Sequence, residues 1–211
     1  MTNENETIKT KKNNISFKIF DLYDMEEIVV TDPGLKSAIN LDAKLALKSQ
    51  GRNVVKLGQT KVNIVERLIN KIPTAGHRGK KHKVEKGSAT GKYTKNMKIV
   101  LNAFEIIQKK TGKNPVQVLV NALENSSPRD EITVIEYGGA RYPQAVDVSP
   151  LRRVNLTLKH IVHGASDKAF KKKKTLAQGL AEEIMLASEA SGDSFAYKKK
   201  NEAEKQADSA R

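Results

Sequence analysis

The sequence predicts a mainly α protein: a helical bundle of about five to six helices with a protruding β-hairpin and an irregular N-terminal extension. Three observations carry this. From Thr60 onward, apolar residues recur at helical spacing. The period switches once, to alternation, between Ile132 and Val148. The residues before Gln59 hold neither period for long.

The elements follow in order. Residues 1–14 are polar and rich in Asn and Thr, with almost no apolar anchor, and read as a disordered tail. Residues 15–58 form the extension. In it, Ile15, Phe17, Ile19 and Phe20 suit a short strand or a clamp. Asp32-Pro33-Gly34 is a turn signal, and Leu35 to Leu47 has room for one or two short helices. The bundle occupies residues 59–211. Its first helix carries Ile64, Val65, Leu68, Ile69 and Ile72 and stops at Pro73. Residues 76–92, rich in Gly, Lys and His, make a loop. Met97, Val100, Leu101, Phe104 and Ile107 stripe the second helix, and Gly112 caps its end. Asn114-Pro115 starts the third, with Val116, Leu119, Val120 and Leu123 inward.

A hairpin near residues 131–148 comes next, with its turn around Gly138 to Pro143. Two strands alone are marginal in water, so the hairpin must lean on the helices or on a partner. Ser149-Pro150 repeats the cap-plus-proline start for a helix burying Leu151, Val154, Leu158, Ile161, Val162 and Ala165. Thr175 and Gln178 fit a capping box for the fifth helix, with Leu176, Leu180, Ala181, Ile184, Met185 and Ser188 on its buried side. Residues 196–211 have helix-forming composition but almost no apolar stripe, so this helix is solvent-exposed or needs a partner surface.

Composition narrows function. The 211 residues are 38% hydrophobic and 5% aromatic with no Trp, which allows a thin core of Ile, Leu, Val and Ala. Cysteine is absent, which excludes disulfides, thiolate metal sites and cysteine nucleophiles. No apolar run approaches the roughly 18 residues of a membrane span. Met1 to Asn14 lacks the apolar core of a signal peptide, so the cytoplasm is expected. The net charge is +14, and the calculated pI is 9.8. Residues 1–34 contribute −3, which leaves +17 on the remainder. A surface so charged repels itself and fits a polyanion, most commonly nucleic acid.

Three basic segments are candidates for that contact. The stretch 71–98 holds Lys71, Arg78, Lys80, Lys81, Lys83, Lys86, Lys92, Lys95 and Lys98 against a single acid, Glu85. Its glycines let backbone approach a phosphate. In the hairpin, Arg141 and Tyr142 follow Gly138-Gly139. A cation and a ring at an exposed tip suit phosphate contact with base stacking, and packing of the tyrosine onto the helices is the alternative. The third segment runs from Lys168 through Phe170 to Lys171, Lys172, Lys173 and Lys174, beside Arg152, Arg153 and Lys159. Lys198, Lys199 and Lys200 are further contacts.

Catalysis finds little support. Gly87 to Tyr93 is one residue too short for a nucleotide-binding P-loop, and Tyr93 stands where a hydroxyl should hold magnesium. His160 and His163 share a helix face, but no third metal ligand is visible, and helix surface or RNA contact is the expected role. Glu182-Glu183 read as facing water. No metal, cofactor or enzymatic activity is expected.

Several of these pieces together resemble the universal small-subunit ribosomal protein seven family. They are VNIVERLINKI from Val62 to Ile72, Arg78-Gly79-Lys80-Lys81, Gly138-Gly139-Ala140-Arg141-Tyr142, and Ser149-Pro150-Leu151-Arg152-Arg153. Leu180-Ala181-Glu182-Glu183 and Ala196-Tyr197-Lys198-Lys199-Lys200 agree in order and spacing. The likeness covers about residues 60–211. The long extension, the enlarged loop 76–92 and the short C-terminus are similar to the archaeal and eukaryotic branch.

The resemblance implies a structural protein in the cytoplasmic ribosome, bound to the 3′ major (head) domain of small-subunit rRNA and to neighbouring head and platform proteins. It implies that Arg78, Lys80, Lys81, Arg152 and Arg153 grip rRNA. It also implies that Gly138, Gly139, Arg141 and Tyr142 form an arm toward exit-site tRNA and the mRNA exit path. A DNA-binding helical protein of chromatin or transcription type is the alternative from another class. It lacks support from any recognition helix with dimer symmetry.

Overall fold

A computed structural model describes residues 18–43, 54–79 and 91–211. Several helices begin where the sequence supplies a cap. Asn63 accepts from Val65 N at the start of α2 (Ile64–Lys71). A 3₁₀ turn, Ile72–Thr74, follows α2 at Pro73. One short helix, α1 (Pro33–Lys36), precedes it, with Asp32 as its cap. It begins two residues before the expected segment and ends after one turn; residues 44–47 of that segment lie outside the described residues.

Next come α3 (Tyr93–Thr111) and α4 (Pro115–Ser126). Between them Gly112 takes φ 65°, the left-handed conformation a helix-ending glycine supplies. Asn114 caps α4 through Val116 N at 3.0 Å. Then follow α5 (Pro150–Ala169), α6 (Leu176–Ser188) and α7 (Phe195–Asp208). The capping box of Thr175 and Gln178 is formed in full. Ser149 takes the cap position of α5, but its hydroxyl makes no capping bond; Pro150 at the first helical position does the work of starting the helix.

Between α4 and α5 lies the hairpin of β1 (Asp130–Tyr137) and β2 (Ala140–Asp147). Its antiparallel register runs from Asp130 opposite Asp147 to Tyr137 opposite Ala140. The turn is therefore Gly138-Gly139 alone, shorter than expected. Both glycines have positive φ, 57° and 81°, which a two-residue hairpin turn of this hand demands. Pro143 sits inside β2, opposite Val134. A proline fits there because a two-stranded sheet has only edge strands.

The core is aliphatic around one ring, Phe104. Val65, Leu68 and Ile69 of α2, Leu119 and Leu123 of α4, Leu158 and Ile161 of α5, and Ile184 of α6 are fully enclosed with it. Each such side chain contributes about 1.5–3 kcal/mol. Glycine sets the closest approach. A Cβ on Gly179 would stand 2.6 Å from the carbonyl oxygen of Ala165, so α6 packs backbone to backbone on α5.

Residues 18–43 form a clasp over this core. Ile19, Tyr23, Met25, Ile28, Leu35 and Ala38 are buried in it, and Tyr23 meets Phe104 edge-on at 5.8 Å. Side chains of the bundle hold the clasp's backbone. Gln117 accepts from Val29 N and donates to Val29 O, Glu124 accepts from Thr31 N and Asp32 N, and Arg67 donates to Ala38 O. Of the expected clamp residues, Ile19 is buried and Phe20 half-buried; Ile15 and Phe17 lie outside the described residues.

The last helix departs from expectation. It has no apolar stripe, yet α7 is no free solvent helix: Ala196 and Ala207 are fully buried against the bundle and the hairpin base. Small residues let the backbone lie close, so little stripe is needed. Its far end is tied to the hairpin base, where Glu204 accepts from Arg129 N and Arg211 pairs with Asp130.

Candidate nucleic-acid interface

The cations fall into those whose charge is used inside the fold and those left at the surface. Arg153 belongs to the first group. It is only 8% exposed, and its guanidinium donates to Asp32 at 2.8 Å, holding the clasp on α5. That geometry engages within the fold a guanidinium expected to contact phosphate. Neighbouring cations, Arg153 first, and a backbone bond from Gly34 overcome the cost of burial and hold the Asp32 carboxyl below its usual range. An Arg153→Ala variant is expected to lose about 2–3 kcal/mol of stability while keeping its salt dependence of RNA binding. A flatter salt dependence in binding titrations would return Arg153 to the interface.

Arg78 is also engaged. It donates to His163 O at 2.7 Å, contacts Asp167 at 2.7 Å, and lies 4.7 Å from the Phe195 ring centroid. Lys168 reaches the buried carboxylate of Glu183 at 2.7 Å, Lys174 pairs with Glu182, and Lys200 donates to Asn125 O. Glu183 is a correction to the expected water-facing pair: it is fully buried. Its Oε1 accepts from Ser194 Oγ and Ala196 N at the start of α7. Arg152 is exposed but makes two bonds to Glu131, at 2.7 and 2.8 Å, tying α5 to β1. That pairing holds the Glu131 carboxyl below its usual range.

The second group is exposed. Lys92 and Lys95 stand at the start of α3, Lys171, Lys172 and Lys173 at the α5–α6 corner, and Lys198 on α7. The chain takes a left-handed φ of 54° at Lys171, whose ammonium lies 5.5 Å from the Phe170 ring centroid. Lys71 is half-buried, and burial, followed by Arg67 and Lys159, pulls its pKa down. Lys80, Lys81 and Lys83 lie outside the described residues.

In the hairpin, Arg141 and Tyr142 are exposed strand residues rather than tip residues, opposite Glu136 and Ile135. Arg141 reaches Glu136 at 3.5 Å. Tyr142 remains 58% exposed, so it does not pack back onto the helices.

A group the sequence did not bring together surrounds Phe195. The Arg78 guanidinium, the Lys199 ammonium at 5.8 Å and the His160 ring at 6.1 Å all meet this one ring. His163 is buried, against the expected surface position, and neither ring nitrogen has a partner among the described residues. Burial and then the surrounding cations push both histidines down to about 4. The shared helix face was a signal for the two histidines; for Phe195 there was none. Among the described residues, no group of three or more His, Asp or Glu side chains could hold a metal ion, and no helix is long and apolar enough to cross a membrane.

The fold and its exposed cations define a basic helical protein with a projecting arm. Residues 44–211 match the family of ribosomal protein S7p/S5e. The chain is 48% identical to the small ribosomal subunit protein uS7 of Nanoarchaeum equitans over 198 residues, 93% of this chain and all of that protein. It is 48% identical to the uS7 of Methanosphaera stadtmanae over 197 residues, and 44% to that of Thermoplasma volcanium over 194, again spanning all of each relative and 93% and 92% of this chain. The chain belongs to the ribosomal protein S7p/S5e family, a family of structural, non-enzymatic proteins.

Proposed function

We propose that this chain holds the head of the small ribosomal subunit together by binding the 3′ major domain of its rRNA, with neighbouring head and platform proteins around it. The observation that carries the reading is the surviving surface charge. Once the internal ion pairs are subtracted, Lys92, Lys95, Lys171, Lys172, Lys173 and Lys198 remain exposed on two helices and one corner. The rigid bundle fixes their spacing, so a folded RNA that matches it binds without reordering the protein. Lys80, Lys81 and Lys83 belong to the same proposed surface by sequence. The hairpin, with Gly138-Gly139 at its turn and Tyr142 exposed, is the arm that faces exit-site tRNA and mRNA.

Binding of the full chain to a transcribed rRNA head fragment tests this. Affinity is expected to fall steeply between 50 and 300 mM salt, about 0.7–0.9 in log–log slope per phosphate contact. Replacing Lys171, Lys172 and Lys173 by Ala should lower the slope by about two to three. An unchanged slope removes that corner from the interface. Equal competition by duplex DNA would favour the DNA-binding alternative.

A further inference from the structure

The cluster around Phe195 takes in one member of a lysine run, Lys199, and otherwise lies outside the runs. Lys159 is exposed, His160 is half-buried beside it, and Lys199 approaches from α7. His160 and Lys199 meet one aromatic ring from two helices, with Arg78 on the same ring from beyond α2, and the Lys159 charge acts on His160. His160 Nδ1 is enclosed and without a partner among the described residues. Opposing charges are few. Asp167 is engaged by Arg78, Glu202 by Lys199, and Glu131, which faces His160 from β1, by Arg152. With those carboxylates paired, Lys159 supplies the remaining charge beside the imidazole.

We propose that Lys159, His160 and Lys199 form a seat for one backbone phosphate of RNA, with the His160 ring as the group that senses it. This rests on the RNA-binding reading above. The physical reason is sign. In the free protein burial first, and then the cations Lys159, Lys199 and Arg78, oppose a proton on His160. A phosphate at the rim reverses that field, so the protonated ring holds the ligand more tightly than the neutral one. Affinity then rises as pH falls, because the complex takes up a proton that the free protein does not carry.

The test compares the full chain with His160→Gln, binding the same transcribed head fragment at pH 7.5 and pH 5.5, with circular dichroism at each pH to verify the fold. His160→Asn replaces the Gln variant if that one unfolds. The parent chain is expected to bind about four- to tenfold more tightly at the lower pH, relative to the variant, for a bound-state pKa near 6 to its ordinary 6.5. A Lys159→Ala/Lys199→Ala double variant should lower the salt slope by about 0.7–0.9, the loss of one phosphate contact. The RNA is common to both proteins, so its own titration cancels in the ratio. Binding with the same pH ratio in parent and variant overturns the seat and leaves the RNA reading standing. No binding by the parent at pH 7.5 overturns both.

Discussion

Glu183→Ala is expected to lower the free energy of unfolding by about 3–5 kcal/mol, the range for breaking a buried charge pair from one side. Three losses act together. Lys168 is left beside a hole instead of a carboxylate, Ser194 Oγ and Ala196 N lose their acceptor, and the carboxylate's volume is vacated. The last loss matters because Gly164 is shaped around Glu183. A Cβ at residue 164 would lie 2.6 Å from the Glu183 carboxyl carbon and 2.8 Å from Phe195 Cβ. Glu183 is thus the joint of α5, α6 and α7, and its loss frees the start of α7. For a chain of this size the melting temperature should drop by on the order of 10 °C. Glu183→Gln keeps the volume and one acceptor and should lose about half as much. Thermal melts followed by circular dichroism decide it. Melting temperatures of both variants within a degree or two of the parent would mean that the joint carries no weight.

Glu183 also shows what could be read from the sequence and was not. Helical residues step by about 100°. Leu180, Ile184 and Ala187 lie within one narrow arc, and Glu183 lies beside that arc, whereas Glu182 lies opposite. The angle alone separated the two acids; reading them as a charged pair hid it. By contrast α4 was legible from Asn114-Pro115 and its apolar stripe, because cap, proline and period are all local. The turn at Gly138-Gly139 was legible for the same reason, although its extent was overestimated, since nothing local told that Pro143 would sit in an edge strand.

The interface was legible as a charge excess but not as a set of residues. Whether an arginine faces RNA or the fold depends on partners far away in sequence. Arg153 finds Asp32 across 121 positions, and Arg78 finds His163 across 85. No window on the chain contains those pairs. The clasp of residues 18–43 was obscure for a related reason. Its backbone bonds go to side chains of α2 and α4 instead of to a ladder of its own, so it carries no period.

The protein free of RNA is expected to lose stability steeply as pH falls from about 6.5 toward 4, well before most of its carboxylates titrate. His160 and His163 cause this. In the fold both are held down to about 4, chiefly by burial and then by Lys159, Arg78 and each other's neighbourhood. In the unfolded chain they titrate near 6.5. Between these values the unfolded state binds more protons, so acid favours unfolding. The stability from keeping the rings neutral is fully present above about 6.5 and is lost through that window, on the order of 3 kcal/mol for each histidine. Against a total of about 5–15 kcal/mol, this is enough to unfold a marginal domain. Asp32, Glu131 and Glu182, whose carboxyls are held low, act in the same direction but only below their ordinary range near 4. Urea midpoints at pH 7.5, 6.0, 5.0 and 4.5 measure the effect, and a His160→Gln/His163→Gln variant should flatten the curve above pH 4.5. Midpoints independent of pH over that interval would show that the two rings are accessible to protons in the native fold, and that the cationic shell around Phe195 exerts no hold on them.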